Sequence, residues 1–242
     1  WVEEPVTESA RPPRRSATKP ARPAQNRRSR SGRKLPADVA DEIGGAVDPA
    51  VQAKVERRLA KAAAAFEDDR PQDAYRALRD VLRQAESVPA ARELAGLSLY
   101  RLGRWAEAAK QLEAFRALTG SVEQHPVLAD TYRALGRYDK VEELWDELRA
   151  VSPHPALVAE GRIVAAGALA DQGQLRPAIK LLERSRAAAR PAPTDYHLRL
   201  WYALADLYER AGDAPKAREL FGRVVEAEPG FAEAAERLGG LN

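Results

Sequence analysis

A glycine that recurs at the end of helical segments is the feature that most constrains the fold. Gly103, Gly136, Gly173 and Gly212 each follow apolar residues at helical spacing and precede a short polar turn, at intervals of 33, 37 and 39 residues. Asp69 occupies the same place 34 residues before Gly103. Because glycine readily adopts the left-handed conformation that closes a helix, these positions predict five helix ends in one repeating register.

Three columns of residues keep a fixed distance from these turns. A small residue lies seven positions before each turn, a mostly small one five positions after it, and a large apolar one nine positions after it. The columns are Ala62, Gly96, Ala129, Ala166 and Ala205; Ala74, Ala108, Val141, Ala178 and Ala217; and Leu78, Leu112, Trp145, Leu182 and Phe221. Small residues on both helices allow close antiparallel packing. A single hairpin cannot bury its apolar faces alone, so neighbouring hairpins are expected to stack.

The last copy carries the most specific pattern, which resembles a tetratricopeptide repeat. Its matching residues are Trp201, Leu204, Ala205, Tyr208, Gly212, Ala217, Phe221 and Pro229. The tryptophan position of the four earlier copies holds Arg58, Arg92, His125 and Arg162 instead.

The resemblance extends over about residues 50–240. It implies an all-α fold: a right-handed α-solenoid of about five helical hairpins similar to tetratricopeptide repeats, plus a C-terminal capping helix from Phe231 to Leu238. The whole chain also resembles uncharacterised bacterial repeat proteins of high-GC Gram-positive organisms.

Charge divides the chain into unequal parts. Residues 1–36 contain ten Lys and Arg against three Glu, whereas the rest of the chain has a small excess of acidic residues. This segment is rich in Pro, Arg and Ser and poor in large apolar residues, which predicts a disordered basic tail. We therefore divide the chain into the tail at 1–36, a short helix and linker at 37–48, and the solenoid at 49–242. Gly44 and Gly45 are expected to stop the short helix.

Catalytic and metal-binding patterns are missing from the sequence. It has no cysteine, no glycine-rich phosphate loop and no paired metal-binding histidines. His125, His154 and His197 each lie near the start of a repeat, and we interpret them as loop or helix-start residues. No apolar run is long enough to span a bilayer. We expect a cytoplasmic, non-enzymatic protein without cofactor or metal.

The resemblance implies a protein-interaction scaffold that binds a partner peptide or helix in a concave groove lined by the first helix of each hairpin. Such a groove is predicted to be apolar in its N-terminal half and acidic toward its C-terminal half. The candidate contacts, which face away from the second helices, are Leu59, Phe66, Glu93, Leu97, Tyr100, Asp130, Arg133, Ile163, Tyr202, Asp206 and Glu209.

The basic tail supports an alternative, an adaptor that contacts RNA or the ribosome. Its arginines and lysine could neutralise phosphates, and without aromatic residues among them any such binding is expected to tolerate different sequences. The candidate nucleic-acid contacts are Arg14, Arg15, Arg27, Arg28, Arg30, Arg33 and Lys34. A third possibility is that the tail occupies the acidic end of its own groove.

Overall fold

The computed structural model describes residues 35–151, 153–185 and 193–241, and within these ranges all regular secondary structure is helical. The helices are α1 (Ala37–Ala46), α2 (Pro49–Glu67), α3 (Pro71–Gln84), α4 (Pro89–Arg101), α5 (Trp105–Thr119), α6 (His125–Ala134), α7 (Tyr138–Val151), α8 (Pro155–Asp171), α9 (Leu175–Glu183), α10 (Asp195–Arg210), α11 (Ala214–Ala227) and α12 (Ala234–Gly240). None of them is both long enough and apolar enough to cross a membrane.

Helices α2 to α11 form five successive antiparallel hairpins. The pairs are α2 with α3, α4 with α5, α6 with α7, α8 with α9, and α10 with α11. Each second helix also packs against the first helix of the next hairpin, and α12 packs against α11 at the end of the stack. The predicted α-solenoid of five hairpins with a C-terminal capping helix is therefore confirmed.

The same backbone turn closes all five hairpins. Gly103, Gly136, Gly173 and Gly212 have φ between 69° and 80°, and Asp69 has φ 60°. In each turn the following residue donates its N–H to the carbonyl four residues before the turn. These bonds are Arg70 to Ala65, Arg104 to Leu99, Arg137 to Tyr132, Gln174 to Leu169, and Asp213 to Tyr208, all 2.8–3.0 Å long. The predicted turn register is thus confirmed, and the bond pattern satisfies the last carbonyl groups of each first helix.

The three sequence columns form the interior of the stack. All fifteen positions are buried, and Trp145 is the most exposed of the large ones at 9%. The glycine in the first column is required by contact distance. A Cβ atom added at Gly96 would lie 2.6 Å from Cγ of Leu112 on the partner helix. The small column therefore sets how closely the two helices of a hairpin approach.

Polar contacts replace the missing tryptophans of the four earlier copies. In each copy the substitute side chain reaches across to the second helix of its own hairpin. Arg58 pairs with Asp80, Arg92 donates to Gln111 (2.9 Å), His125 contacts Glu147 (2.9 Å), and Arg162 donates to the backbone carbonyl of Leu181 (3.2 Å). A hydrogen bond thus joins the two helices where the last copy uses an aromatic ring.

Both ends of the solenoid differ from the prediction in detail. The first helix does not stop at Gly44 and Gly45 but runs through them to Ala46, and the extended conformation of Val47 ends it. The capping helix begins at Ala234 and not at Phe231, because Ala232 has φ 45° and interrupts the helical path. Residues 1–34, which contain nearly all of the predicted disordered tail, lie outside the described ranges.

The close approach of the helices predicts an unusual sensitivity to a single methyl group. Gly96→Ala is expected to lower the free energy of unfolding by about 1–3 kcal/mol, because the added Cβ overlaps Leu112. Gly222→Ala is the matched control, since it lies within α11 and a Cβ there meets no atom within 4 Å. That change is expected to be neutral or to stabilise by up to about 1 kcal/mol. Urea unfolding of both variants measures the difference, and equal effects would show that the predicted packing register is wrong.

Candidate functional site

The first helices α2, α4, α6, α8 and α10 lie side by side and form the concave face of the stack. At the N-terminal end of this face, α1 folds back onto α2. Ile43 of α1 is fully buried in the same apolar cluster as Leu59 of α2, which is only 2% exposed. Glu42 of α1 also accepts a hydrogen bond from the backbone N–H of Ala90 at the start of α4 (3.4 Å). Leu59, predicted to contact a partner, is therefore part of the core.

Glu93 and Phe66 lie next to this covered end and are only partly accessible. Glu93 accepts a hydrogen bond from Gln124 (2.6 Å), and burial raises the pKa of its carboxyl group. The guanidinium of Arg101 lies 3.8 Å from the ring centre of Phe66 and donates to the Phe66 backbone carbonyl (3.2 Å). Both groups already have partners within the chain.

The capping helix covers the C-terminal end of the concave face. Arg237 of α12 pairs with Asp206 (2.8 Å) and Glu209 (2.5 Å), and its guanidinium carbon lies 5.6 Å from the ring centre of Tyr202. Tyr202 is only 5% exposed and donates its hydroxyl to Glu233 (3.2 Å). Tyr202, predicted to face away from its second helix, therefore does not: it packs against Phe221 of α11 and is buried beneath the capping helix.

Between these ends, a chain of side-chain bonds crosses the three first helices α4, α6 and α8. Tyr100 on α4 donates its hydroxyl to Asp130 on α6 (2.5 Å), and Asp130 lies 3.5 Å from Arg133. Arg133 then donates two hydrogen bonds to Asp171 at the end of α8 (2.7 and 3.2 Å). These four residues, Tyr100, Asp130, Arg133 and Asp171, are called the central network below.

A glycine makes room for the central network. A Cβ atom added at Gly167 of α8 would lie 2.6 Å from a terminal nitrogen of Arg133. The guanidinium therefore rests directly on the α8 backbone, where it can form the two parallel bonds to Asp171. Leu97, three residues before Tyr100 on α4, is half-buried and belongs to none of the apolar clusters of the described residues. We call the central network together with Leu97 and Gly167 the central window.

Burial and charge keep the tyrosine of the window neutral. Burial is the main cause that raises the pKa of Tyr100 far above its usual value, and the negative charge and hydrogen bond of Asp130 raise it further. The Tyr100 hydroxyl is thus held as a donor at neutral pH. For Arg133, burial works to lower the pKa, but the bonds and charge of Asp171 outweigh it, so the guanidinium stays charged.

The predicted acidic half of the groove contains acidic residues, but arginines pair with them. Glu160 on α8 pairs with Arg199 on α10 (2.9 Å), although burial still raises its pKa, and Asp206 and Glu209 pair with Arg237 as described above. Ile163, predicted as a groove contact, packs against the apolar cluster of the fourth hairpin. The expected acidic C-terminal half is therefore wrong as a description of the surface, since arginines neutralise these carboxylates.

The three histidines have structural partners. His154 and His197 accept backbone N–H groups through Nδ1, from Leu157 (3.3 Å) and Thr194 (3.2 Å) respectively, and each lies at the start of a first helix. His125 is 3% exposed and contacts Glu147. Among the described residues no group of three or more His, Asp or Glu could hold a metal ion. The candidate nucleic-acid contacts Arg14, Arg15, Arg27, Arg28, Arg30, Arg33 and Lys34 lie outside the described ranges.

Two residues of the window were missed by sequence reasoning. Gly167 and Asp171 stand one and five positions after the small column residue Ala166, as Leu97 and Arg101 stand after Gly96. Because Leu97 was predicted as a contact, the same position of the fourth hairpin, Gly167, could have been identified from the register. The pairing of Arg133 with Asp171 carries no such signal, because the two residues are 38 positions apart.

The central network predicts a specific loss of stability at alkaline pH. The pKa of Tyr100 is raised on folding above the unfolded value of about 10. Above pH 10 the unfolded chain therefore loses a proton that the folded chain keeps, and stability falls as pH rises. Tyr100→Phe is expected to reduce this slope by up to about 1.4 kcal/mol per pH unit between pH 10 and 11. Urea unfolding from pH 8 to 11 gives the comparison, and parallel curves for both proteins would contradict the assignment.

Comparison with known protein families agrees with this architecture. Two tetratricopeptide repeat profiles match the chain, one over residues 58–121 and the other over residues 159–227. The first match contains hairpin turns at Asp69 and Gly103, and the second contains those at Gly173 and Gly212. No curated protein matches the chain. RNA or ribosome contact has no support from these comparisons.

Solved structures share the fold at low sequence identity. A thermophilic tetratricopeptide repeat protein of Thermus thermophilus is 18% identical with a TM-score of 0.60, and the match covers 77% of this chain and 98% of that one. Repeats of a putative kinesin light chain of Podospora anserina are 21% identical with a TM-score of 0.58, covering 74% and 98%. YrrB, a repeat protein with an unusual peptide-binding site, is 17% identical with a TM-score of 0.52, covering 82% and 98%. The chain therefore contains tetratricopeptide repeats, which match over residues 58–121 and 159–227, and it shares the fold of these solved structures.

Proposed function

We propose that this protein is a non-enzymatic interaction scaffold that binds a short extended peptide segment of a partner across the central window. The observation that carries this proposal is the central network on three successive first helices, which lie between the ends covered by α1 and Arg237. The repeat fold is consistent with a protein-interaction scaffold, and the solved structure of YrrB, a protein with a similar fold, has a peptide-binding site.

The size of the window limits the length of the segment. Neighbouring packed helices lie about 10 Å apart, so α4, α6 and α8 together present a surface roughly 20–30 Å across. An extended chain advances about 3.3 Å per residue. The window therefore suits a segment of about six to eight residues.

The chemistry of the window suits a segment that has one apolar side chain and whose backbone N–H and C=O groups can hydrogen-bond to the network. Leu97 provides apolar area, which is worth about 25 cal/mol per Å² when covered. Asp130 and Asp171 are 31% and 33% exposed, so each carboxylate keeps acceptor sites for peptide N–H groups. Arg133 is 25% exposed and keeps donor capacity for a peptide carbonyl. The network is held in place before binding, which reduces the entropy cost of association.

Selection of octapeptides from a random display library against the full chain tests this function. A selected peptide is expected to lose about tenfold or more in affinity with Leu97→Ala or Arg133→Ala, measured by isothermal titration calorimetry. Leu118→Ala is the matched control, since Leu118 lies on the second helix α5 and is 45% exposed. Unchanged affinity in both window variants, or an equal loss in Leu118→Ala, would contradict the proposal.

A further inference from the structure

A second surface of the protein, away from the central window, gathers arginines around a small cleft. The cleft lies between helix α3 and the turn that connects α4 to α5, and has a volume of about 190 Å³. Its lining residues are Gln72, Tyr75, Arg76, Arg79 and Arg104. No carboxylate of the described part of the chain lines it. We propose that this cleft binds the phosphate group of a phosphomonoester.

Spacing along α3 brings four of the lining residues together. Gln72, Arg76 and Arg79 follow one another at intervals of four and three, which places them on one exposed face of the helix, and Tyr75 lies beside them. Arg104 comes from the hairpin turn directly after Gly103, and its guanidinium lies over the ring of Tyr75 on α3. Three guanidinium groups on two structural elements thus converge on one small volume.

Two of the three arginines are positioned by their own partners. The guanidinium carbon of Arg104 lies 4.8 Å from the ring centre of Tyr75, and its Nε and one terminal nitrogen bond both oxygens of Glu107 (2.7 and 2.5 Å). One terminal nitrogen of Arg76 bonds Asp73 (3.2 Å). In each case the remaining N–H groups of the guanidinium are available, since an arginine has five donors.

Arg79 differs from its two neighbours. It is exposed and makes no hydrogen bond or ion pair to any residue in the described ranges. Three guanidinium groups, one of which makes no hydrogen bond or ion pair within the described ranges, present donors that suit an oxyanion such as a phosphate group. Planar guanidinium groups match phosphate oxygens in this way and bind them with paired hydrogen bonds.

Shape and stacking favour a phosphomonoester over a nucleic-acid backbone. The cleft is smaller than the 300–1,000 Å³ typical of sites for whole ligands, so it suits a single group. Sequence-tolerant binding of single strands uses aromatic rings on which bases stack. Among the described residues that line the cleft, Tyr75 supplies the only aromatic ring, and Arg104 already lies over its face.

Titration of the full chain with three probes at constant ionic strength tests the site. The probes are inorganic phosphate, a phosphoserine-containing hexapeptide, and hexauridylate, observed through the side-chain NMR signals of labelled arginine. Inorganic phosphate and the phosphopeptide are expected to shift the signals of Arg79 and Arg104 along a saturating curve. Tighter binding of the phosphopeptide would identify a phosphate borne by a partner, and equal binding would identify a free or small-molecule phosphate.

Two variants that each remove one positive charge distinguish binding at the cleft from general electrostatic attraction of phosphate. Arg79→Gln is expected to weaken phosphate binding about tenfold while leaving the thermal unfolding midpoint unchanged, since Arg79 has no bonds to lose within the described ranges. Arg149→Gln on α7 is the control, because Arg149 is also exposed but lies outside the cleft and pairs with Asp146 (2.8 Å). A linear response to phosphate, an equal loss in both variants, or stronger binding of hexauridylate through the same arginines would overturn the proposal.

Discussion

The close approach of two antiparallel helices within each hairpin is the constraint on which the rest of the structure depends. The small residues at Ala62, Gly96, Ala129, Ala166 and Ala205 allow it, and the left-handed residue at each turn directs the second helix back along the first. The larger residues then lie against their own partner helix, as Leu112 does at Gly96, and also meet the next hairpin, as Leu112 meets Leu128. A continuous stack then buries what no single hairpin could bury.

The ends of such a stack leave apolar surface uncovered, and the way this protein covers them shapes its concave face. Helix α1 buries Ile43 against the first hairpin, and α12 buries Ala234 and places Arg237 over Tyr202 and Phe221. Both additions lie partly over first helices. The solenoid therefore gains stability at its ends and loses accessible groove there, and the accessible part of the face lies between the start of α4, which α1 contacts, and α8.

The fold was largely predictable from sequence, and the site was predictable only in part. Turn residues and buried columns depend on contacts within one hairpin, so their spacing repeats and can be recognised. Tyr100, Asp130 and Arg133 were found because they keep this spacing. The burial of Leu59 and Tyr202 beneath the end helices could not be predicted, because α1 and α12 are not part of the repeat. The contacts across each hairpin could not be predicted either, since polar residues at the tryptophan position indicate only a weak match to the repeat. These contacts are made by Arg58, Arg92, His125 and Arg162.

A crystal structure of the full chain with a selected octapeptide tests the central claim most directly. The account predicts an extended peptide that crosses α4, α6 and α8, contacts Leu97 and Arg133, and leaves α1 and α12 in place. A peptide bound over Leu59 or Tyr202, with α1 or α12 displaced, would contradict it, because the covered ends would then be the binding surface and the central window would not.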